Sequence, residues 1–340
     1  MSFKRLDPED ISISAESVVA PVWSNNNVEA TTLYTSTGQL ASNTANFYYE
    51  VYQANPSTDS TAQPQFAIAF GDKQGRGAQL YNTAVVEKSP SSTIYGQYRN
   101  LVFGDEDTDF EFQGQSSNHI YVISIDRARY KEKLFPGTFN LTLTSGSNTL
   151  HLTDNSNDLS TVSYVDAGRV YDIISGSNGS SYDGSTGYNT EGGSYGKFLP
   201  DVGIIILNGT ALDSDPASSG DGINLDSDLT ENQTSPVNLQ KFFDALELGA
   251  SFKLQSEETI SSNYIFVRVR NGEFNYSTNP SNITGSGELT HDVMINTPQA
   301  YITTVGLYND NNDLLGVAKL SRPLLKDFTK EALVRIKLDY

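Results

Sequence analysis

The chain has 340 residues and no cysteine, which excludes disulfides, thiolate catalysis and cysteine-ligated zinc. It contains only two methionines and one tryptophan, and leucine and alanine do not recur at helical spacing over long spans. No run of about 18 apolar residues is present, so the sequence predicts no transmembrane helix. The first 23 residues lack the apolar core of a signal peptide, and we therefore expect synthesis in a reducing cytoplasm.

Positive charge is also scarce. Lysine and arginine total 22 against 41 aspartates and glutamates, a formal charge of −19. Nucleic-acid binding depends on cationic side chains that displace counterions from phosphates. Anionic lipid surfaces attract basic segments for the same electrostatic reason. The composition therefore predicts neither a nucleic acid nor a membrane as partner.

What the chain has instead is a strand-forming composition. Nineteen tyrosines and sixteen phenylalanines stand among many valines, isoleucines and threonines, the residues enriched in β-strands. The length exceeds what one hydrophobic core usually organises. The sequence predicts a mainly β, β-rich α+β fold with antiparallel sheets in sandwich-like domains and a few short helices.

Shifts in composition divide the chain into four regions. A polar N-terminal arm is expected over 1–45, and a β-rich domain with a short helix over 46–154. Residues 155–235 are expected to form a hairpin followed by glycine-rich and acidic loops, an apparent insertion. Residues 236–340 predict a helix followed by a C-terminal antiparallel β domain. Seven glycines between 175 and 198 predict the weakest local order of the chain.

Two helices are predicted from apolar spacing. The first follows Ser91 or Ser92 as N-cap and buries one face, made of Ile94, Tyr98, Leu101 and Val102. The second ends at Gly249 and has a stronger apolar face, made of Leu239, Phe242, Phe243 and Leu246.

Hairpin signals are frequent in the remaining sequence. Gly168 suits the positive φ of a bulged loop between "VSYV" and "RVYDII", and the pair Asn271-Gly272 suits a type I′ turn. A further hairpin is predicted within "YITTVGLYNDNNDLLGVAKL". The segment "ALVRIKLDY" alternates strictly, so Val334, Ile336, Leu338 and Tyr340 face one way and Arg335, Lys337 and Asp339 the other.

Catalytic patterns are weak. The three histidines, His119, His151 and His291, lie in no metal-ligand spacing, and the G-x-S-x-G-like stretches fall in the glycine-rich loop without a preceding strand. A glycosidase needs two carboxylates across a cleft, and no pair stands out from the acidic background. The sequence therefore predicts no enzyme, no catalytic residues and no cofactor.

Calcium is the one ion that the acidic loops suggest. Asp213, Asp215 and Asp221 lie together in "DSDPASSGDG", and carboxylates are the ligands calcium prefers. The alternating "NDNND" at 309–313 offers similar groups, but a hairpin turn already explains it. Both loops lack the glycine and glutamate of an EF-hand.

Several long segments of the chain stand out: "FAIAFGDKQGRG", "IYGQYRNLVFG" and "IYVISIDRARYKEKLFPG" in the first half, and "VRVRNGEFNYSTNPSN" and "YITTVGLYNDNNDLLGVAKLSRPLLKDFTKEALVRIKLDY" near the end. These segments resemble those of structural proteins from large contractile-tailed bacteriophages, especially baseplate-associated ones. The resemblance covers roughly 46–145 and 262–340. It brings no catalytic residues.

The resemblance implies a virion protein of the baseplate-wedge type, made in the host bacterial cytoplasm and incorporated into the tail baseplate. It implies other tail proteins as partners and a homo-oligomer within a symmetric assembly. Candidate subunit contacts are Phe274, Tyr276, Leu307, Tyr308, Arg335, Lys337 and Tyr340. Alternatives are a neck or head-decoration protein, a receptor- or glycan-binding adhesin, and a depolymerase with paired carboxylates in a cleft.

Overall fold

The structure is a computed structural model. It describes residues 4–35, 47–80, 84, 88–182, 185–218, 221–233, 235–277 and 279–339. Strands and bridges take 42% of the described residues and helical turns 16%, with large antiparallel sheets, which confirms the predicted β-rich fold. Contacts group the chain into two compact units, a central unit of residues 18–258 and a terminal unit that combines residues 1–17 with 259–340. These boundaries differ from the four regions expected from composition.

The described residues contain twenty strands. The first ten, β1 to β10 in chain order, are Ile11–Pro21, Glu29–Ala30, Tyr48–Tyr52, Pro64–Asp72, Glu111–Phe112, Gln115–Ser116, His119–Ile125, Lys133–Leu134, Asn140–Ser145 and Asn148–Asp154. The others, β11 to β20, are Ser163–Val165, Gly168–Ser177, Ser180–Ser181, Gly196–Leu199, Ile204–Asn208, Phe252–Lys253, Gln255–Val269, Ala300–Tyr308, Leu314–Lys326 and Ala332–Asp339.

Helices are few and mostly short. The α-helices α1 to α4 are Pro90–Phe103, Gly209–Asp213, Val237–Gly249 and Val293–Asn296. Single 3-10 turns occur at Pro8–Asp10, Ser24–Asn26, Arg127–Arg129, Pro216–Ser218 and Pro280–Asn282. No helix of the described residues combines the length and apolar character needed to cross a membrane.

The central unit is built on one large antiparallel sheet. Its strand order is β2-β16-β9-β10-β12-β14-β15-β7-β4-β3, and β11 and β13 pair with β12 beside this path. The hairpin of β11 and β12 has the loop expected from the sequence, since Val165 pairs with Gly168 and Gly168 has φ 108°. The hairpin of β9 and β10 likewise turns at Gly146, with φ 59°.

Both faces of this sheet are buried. Successive side chains of a strand point to opposite faces, so each strand contributes to two cores. Along β15, Ile205 and Leu207 belong to a core that includes α3, whereas Ile204 and Ile206 belong to a second core that includes α1. Burial on both sides explains why β7 and β15 read as nearly unbroken apolar runs, "HIYVISI" and "IIILN".

The predicted apolar face of helix α3 is confirmed. Leu239, Phe242, Phe243 and Leu246 are all buried, and the Phe242 ring lies 4.8 Å from the ring of Tyr121 on β7. The helix ends at Gly249, and Ala250 caps it with φ 48°.

Helix α1 begins two or three residues earlier than predicted. Ser89 is the N-cap, because Pro90 occupies the first helical position where its fixed φ fits. Ser91 donates instead to the carbonyl of Arg76 at 2.8 Å. The buried face is shifted as well: Tyr95 and Val102 are buried while Leu101 is exposed.

The glycine-rich segment corrects another expectation, because residues 192–196 are buried. A Cβ added at Gly192 would lie 2.8 Å from Ala211 Cα. Gly193 has φ 77°, and a Cβ added there would collide with the carbonyl oxygen of Phe112. These glycines permit close backbone approach, a role that composition alone does not separate from flexibility.

The terminal unit contains a smaller sheet and a two-stranded ribbon. The residues of β17 from Ser262 to Val269 pair with β20, and β1 lies on the other side of β17. The ribbon is formed by β18 and β19, as predicted. The hairpin expected at Asn271-Gly272 is wrong: the chain turns there, with Glu273 N bonded to Arg270 O, but β20 rather than residues 273–277 takes the place beside β17.

Candidate interaction surface

The terminal unit has a small hydrophobic core. Its buried cluster consists of Ile265, Val334 and Ile336. Partly buried residues of the N-terminus, β17 and the ribbon pack against the cluster: Leu6, Val267, Val305, Leu307, Ala318 and Leu320. Because few side chains are fully buried, much of the apolar surface of this unit stays in contact with solvent.

The register of the ribbon sorts its residues onto two faces. Val305 pairs with Ala318, and Leu307 with Gly316, on the face that contacts the core. Thr304 pairs with Lys319 and Gly306 with Val317 on the opposite face. Leu307, a predicted interface residue, therefore lies on the core side.

The ribbon is rich in exposed apolar side chains. Leu315 is 70% exposed, Tyr301 64% and Val317 60%. The Tyr308 ring lies over Gly306, where an added Cβ would come within 2.9 Å of Cε2. The exposed apolar side chains of β18 and β19 are Tyr301, Tyr308, Leu314, Leu315, Val317 and Leu324, and we call this set the ribbon patch.

Backbone edges flank this patch. Among the described residues, β18 and β19 pair only with each other, and β20 pairs only with β17. An edge strand presents unpaired N–H and C=O groups that can bond a further strand. The ribbon and β20 therefore offer sites for strand addition by a partner.

Arg335 and Lys337 sit on the solvent side of β20, as the alternation predicted. The Arg335 guanidinium lies 5.6 Å from the Tyr264 ring centre, and the Lys337 ammonium 5.8 Å from it. A hydrogen bond from Lys337 to Asp339 raises the pKa of Lys337. Hydrogen bonds from Ser262 and then Lys337 lower the pKa of Asp339. Arg335 and Lys337 place two positive charges side by side on a chain whose net charge is −19.

The loop of the ribbon is a self-contained turn. Asn309 Oδ1 accepts hydrogen bonds from the backbone N–H of Asn311 at 3.0 Å and of Asp313 at 2.8 Å. Asn309 Nδ2 donates to Asp313 Oδ2 at 2.9 Å. These bonds account for the "NDNND" sequence as a turn.

A fully buried lysine anchors the end of β19. Lys326 Nζ donates to Asn275 Oδ1 at 2.6 Å and to the carbonyl oxygens of Asn271 and Asp327, both at 2.9 Å. Asn275 is itself buried. The sequence did not indicate this contact, because a lysine at the end of a strand ordinarily extends into solvent.

The other predicted contact residues are not part of the ribbon strands. Phe274, with φ 51°, is 37% exposed and Tyr276 is 68% exposed, both in the segment after β17. Tyr340 lies outside the described residues. Leu315, Val317 and Tyr301 belong to the exposed surface but were not predicted; the alternation of β19 with the core-facing Ala318 and Leu320 was the signal that would have indicated Val317.

The three aspartates considered for calcium make separate contacts. Asp213 Oδ2 lies 2.9 Å from His119 Nε2, and Asp213 Oδ1 accepts from Ser227 N and Oγ. Asp215 accepts from the N–H of Ala217. The carbonyl of Asp221 accepts from the Tyr195 hydroxyl at 2.6 Å. Within the described residues, no three acidic or histidine side chains are grouped to hold a metal ion.

The chain was compared with known proteins, and no family model, no curated protein and no solved structure matches it.

Proposed function

We propose that the chain is a structural subunit of a contractile phage tail baseplate, of the wedge type, and that its terminal unit docks on neighbouring subunits. One observation carries the docking role. Of the 24 large hydrophobic side chains exposed among the described residues, 14 lie in the terminal unit, which is less than a third of the chain.

Concentrated apolar exposure is uncommon on a monomer, because large contiguous patches favour association. The buried cluster of this unit contains only three residues, so burial of the ribbon patch by a partner would add substantially to its core. At about 25 cal/mol per Å², covering 100 Å² of apolar surface contributes about 2.5 kcal/mol. A subunit interface is the arrangement that uses such a surface.

The mode of docking follows from the edges of the sheet. A partner strand beside β18, β19 or β20 would satisfy backbone groups, and side chains of the ribbon patch would fill pockets of the partner. Arg335 and Lys337 favour an acidic partner surface, since complementary charge sets orientation and association rate. Two copies of β20 paired in antiparallel fashion about Ile336 would instead bring Arg335 opposite Lys337, which disfavours that self-pairing.

The assignment to a tail is supported by the resemblance of residues 46–145 and 262–340 to baseplate-associated proteins. Its test is the location of the chain in purified particles, sheared into heads and tails and quantified by mass spectrometry. Enrichment with tails and baseplates supports the proposal. Enrichment with heads favours the neck or head-decoration alternative, and absence from particles contradicts both.

The docking role has a separate test in the purified protein. The double variant Leu315→Ser/Val317→Thr is expected to reduce association measured by analytical ultracentrifugation, either with itself or with tail proteins, at least tenfold. The control is Tyr164→Ser, which removes a side chain that is 72% exposed in the central unit. Equal loss in both variants would contradict docking through the ribbon patch.

A further inference from the structure

A polar cavity lies at one edge of the large sheet in the central unit. Strand β3 ends there, β4 begins there and β7 ends there, because the three are antiparallel neighbours. The 3-10 turn at Ser24–Asn26 closes one side and the turn at Arg127–Arg129 another. The cavity measures about 330 Å³ and is lined mainly by polar side chains, among them Asn25, Gln53, Asp59, Gln63, Gln65 and Arg129.

Its floor is held in place by reciprocal hydrogen bonds. The buried Gln65 amide accepts from Ser24 N at 2.9 Å and donates to Ser24 Oγ at 2.7 Å. Arg129 donates through one terminal nitrogen to Ser24 Oγ at 2.9 Å and through the other to Gln63 Oε1 at 2.6 Å. These contacts fix the wall before any ligand enters, which lowers the entropic cost of binding.

Two buried polar atoms in the wall of the cavity have no hydrogen-bond partner within the ranges that the structure describes. Gln53 Oε1 and Arg129 Nε are buried atoms without a hydrogen-bond partner among the described residues. Such atoms are rare, since nearly all buried polar groups are paired. The exposed Asn25 amide has no bonded partner in the described part of the chain either. Arg129 Nε is a donor and Gln53 Oε1 an acceptor, and a small rotation of Gln53 would present its amide to a bound molecule while Arg129 keeps its bonds to Ser24 and Gln63.

The wall is close to neutral in total charge. Arg129 contributes one positive charge and Asp59 one negative charge, and hydrogen bonds from Thr61 lower the pKa of Asp59, which keeps it ionised. An anion would meet Asp59 and a chain of charge −19, and a cation would meet Arg129. An apolar molecule would find only Ala54 and Ala62 as apolar lining.

We propose that this cavity binds a neutral saccharide. Each sugar hydroxyl both donates and accepts, and the amides of Asn25, Gln53 and Gln63 offer both functions as well. Cavities of about 300–1,000 Å³ are the usual size for small-molecule sites. The site lies in the central unit and is independent of docking through the ribbon patch.

The backbone conformation of Asn25 allows its side chain to be removed without strain. Asn25 has φ 61°, a conformation that glycine adopts without strain, so Asn25→Gly removes the amide and keeps the turn. Asn26 has φ 64° but does not line the cavity, which makes Asn26→Gly a matched control. Gln53→Leu removes the unpartnered acceptor at similar volume.

Saturation-transfer NMR with neutral mono- and disaccharides and with acidic sugars tests the proposal. A neutral sugar is expected to bind the parent protein and Asn26→Gly equally, and to bind Asn25→Gly and Gln53→Leu about tenfold more weakly, the effect of losing one or two hydrogen bonds. Unchanged circular dichroism would show that the variants fold. The proposal is overturned if no neutral sugar binds, if only acidic sugars bind, or if Asn25→Gly binds like the parent.

Discussion

Replacement of Lys326 by methionine removes the ammonium group that joins β19 to the segment after β17. The group contacts three acceptors, Asn275 Oδ1 and the carbonyls of Asn271 and Asp327, within 2.9 Å. An acceptor left unpaired in the interior costs about 1–3 kcal/mol. Relief from burying a charge offsets part of this loss, and methionine keeps the apolar stem packed. We expect the terminal unit to lose about 3 kcal/mol of stability.

Hydrogen–deuterium exchange with mass spectrometry follows this unit directly, because amides exchange when the local structure opens. A loss of about 3 kcal/mol corresponds to exchange that is about a hundredfold faster in peptides from β17, β19 and β20. The matched control is Lys319→Met, the same substitution at an exposed position of the same strand. Its expected effect is within about 0.5 kcal/mol.

The reasoning would be refuted if Lys326→Met and Lys319→Met exchanged at the same rate. Such a result would mean that the three acceptors find other partners when the ammonium is absent. The buried lysine would then be an incidental feature of the fold rather than a contact that holds β19 in place.

Three further predictions concern the central unit. Phe242→Ala is expected to cost about 3–5 kcal/mol through the cavity it leaves beside Tyr121, against less than about 1 kcal/mol for Leu248→Ala on the exposed side of α3, both measured by urea unfolding with Trp23 fluorescence. Gly193→Ala should cost about 2 kcal/mol more than Gly146→Ala, since both glycines have positive φ but only Gly193 is blocked by the Phe112 carbonyl; equal losses would remove the role assigned to close approach. Burial raises the pKa of Asp201, but hydrogen bonds from Arg169 outweigh this and lower it below 3.8, so the pair contributes stability above that pH and loses it as pH falls through the lowered pKa. Asp201→Asn should therefore remove about 1 kcal/mol at pH 7 and less at pH 3, and a pH-independent difference would contradict the pairing.

Patterns that depend on one element were predictable from the sequence. The apolar face of α3 and the alternation of Val334 and Ile336 in β20 follow from the spacing of side chains on a helix and a strand. The turn at Gly168 follows from the conformational freedom of glycine. These features require no knowledge of the rest of the chain.

Features that depend on distant partners were not predictable. Asn271-Gly272 favours a hairpin locally, but the eight paired positions of β17 and β20 prevail. Buried glycines near Gly193 and the buried Lys326 owe their environment to residues far away in the chain. For the proposed surface, the solvent side of β20 followed from alternation, whereas the ribbon patch required the register of β18 and β19.

The discontinuous terminal unit has a consequence for biosynthesis. Ile11–Ser17 leave the ribosome before the central unit is made, yet β1 neighbours β17, which is completed only after residue 258. At about 5–20 residues per second, the ribosome takes on the order of 10–50 s to make the intervening central unit. During that interval the central unit is able to fold while the first strand waits without its neighbour. The surface proposed to dock therefore matures after the polar cavity of the central unit, an order that delays exposure of a complete assembly surface during translation.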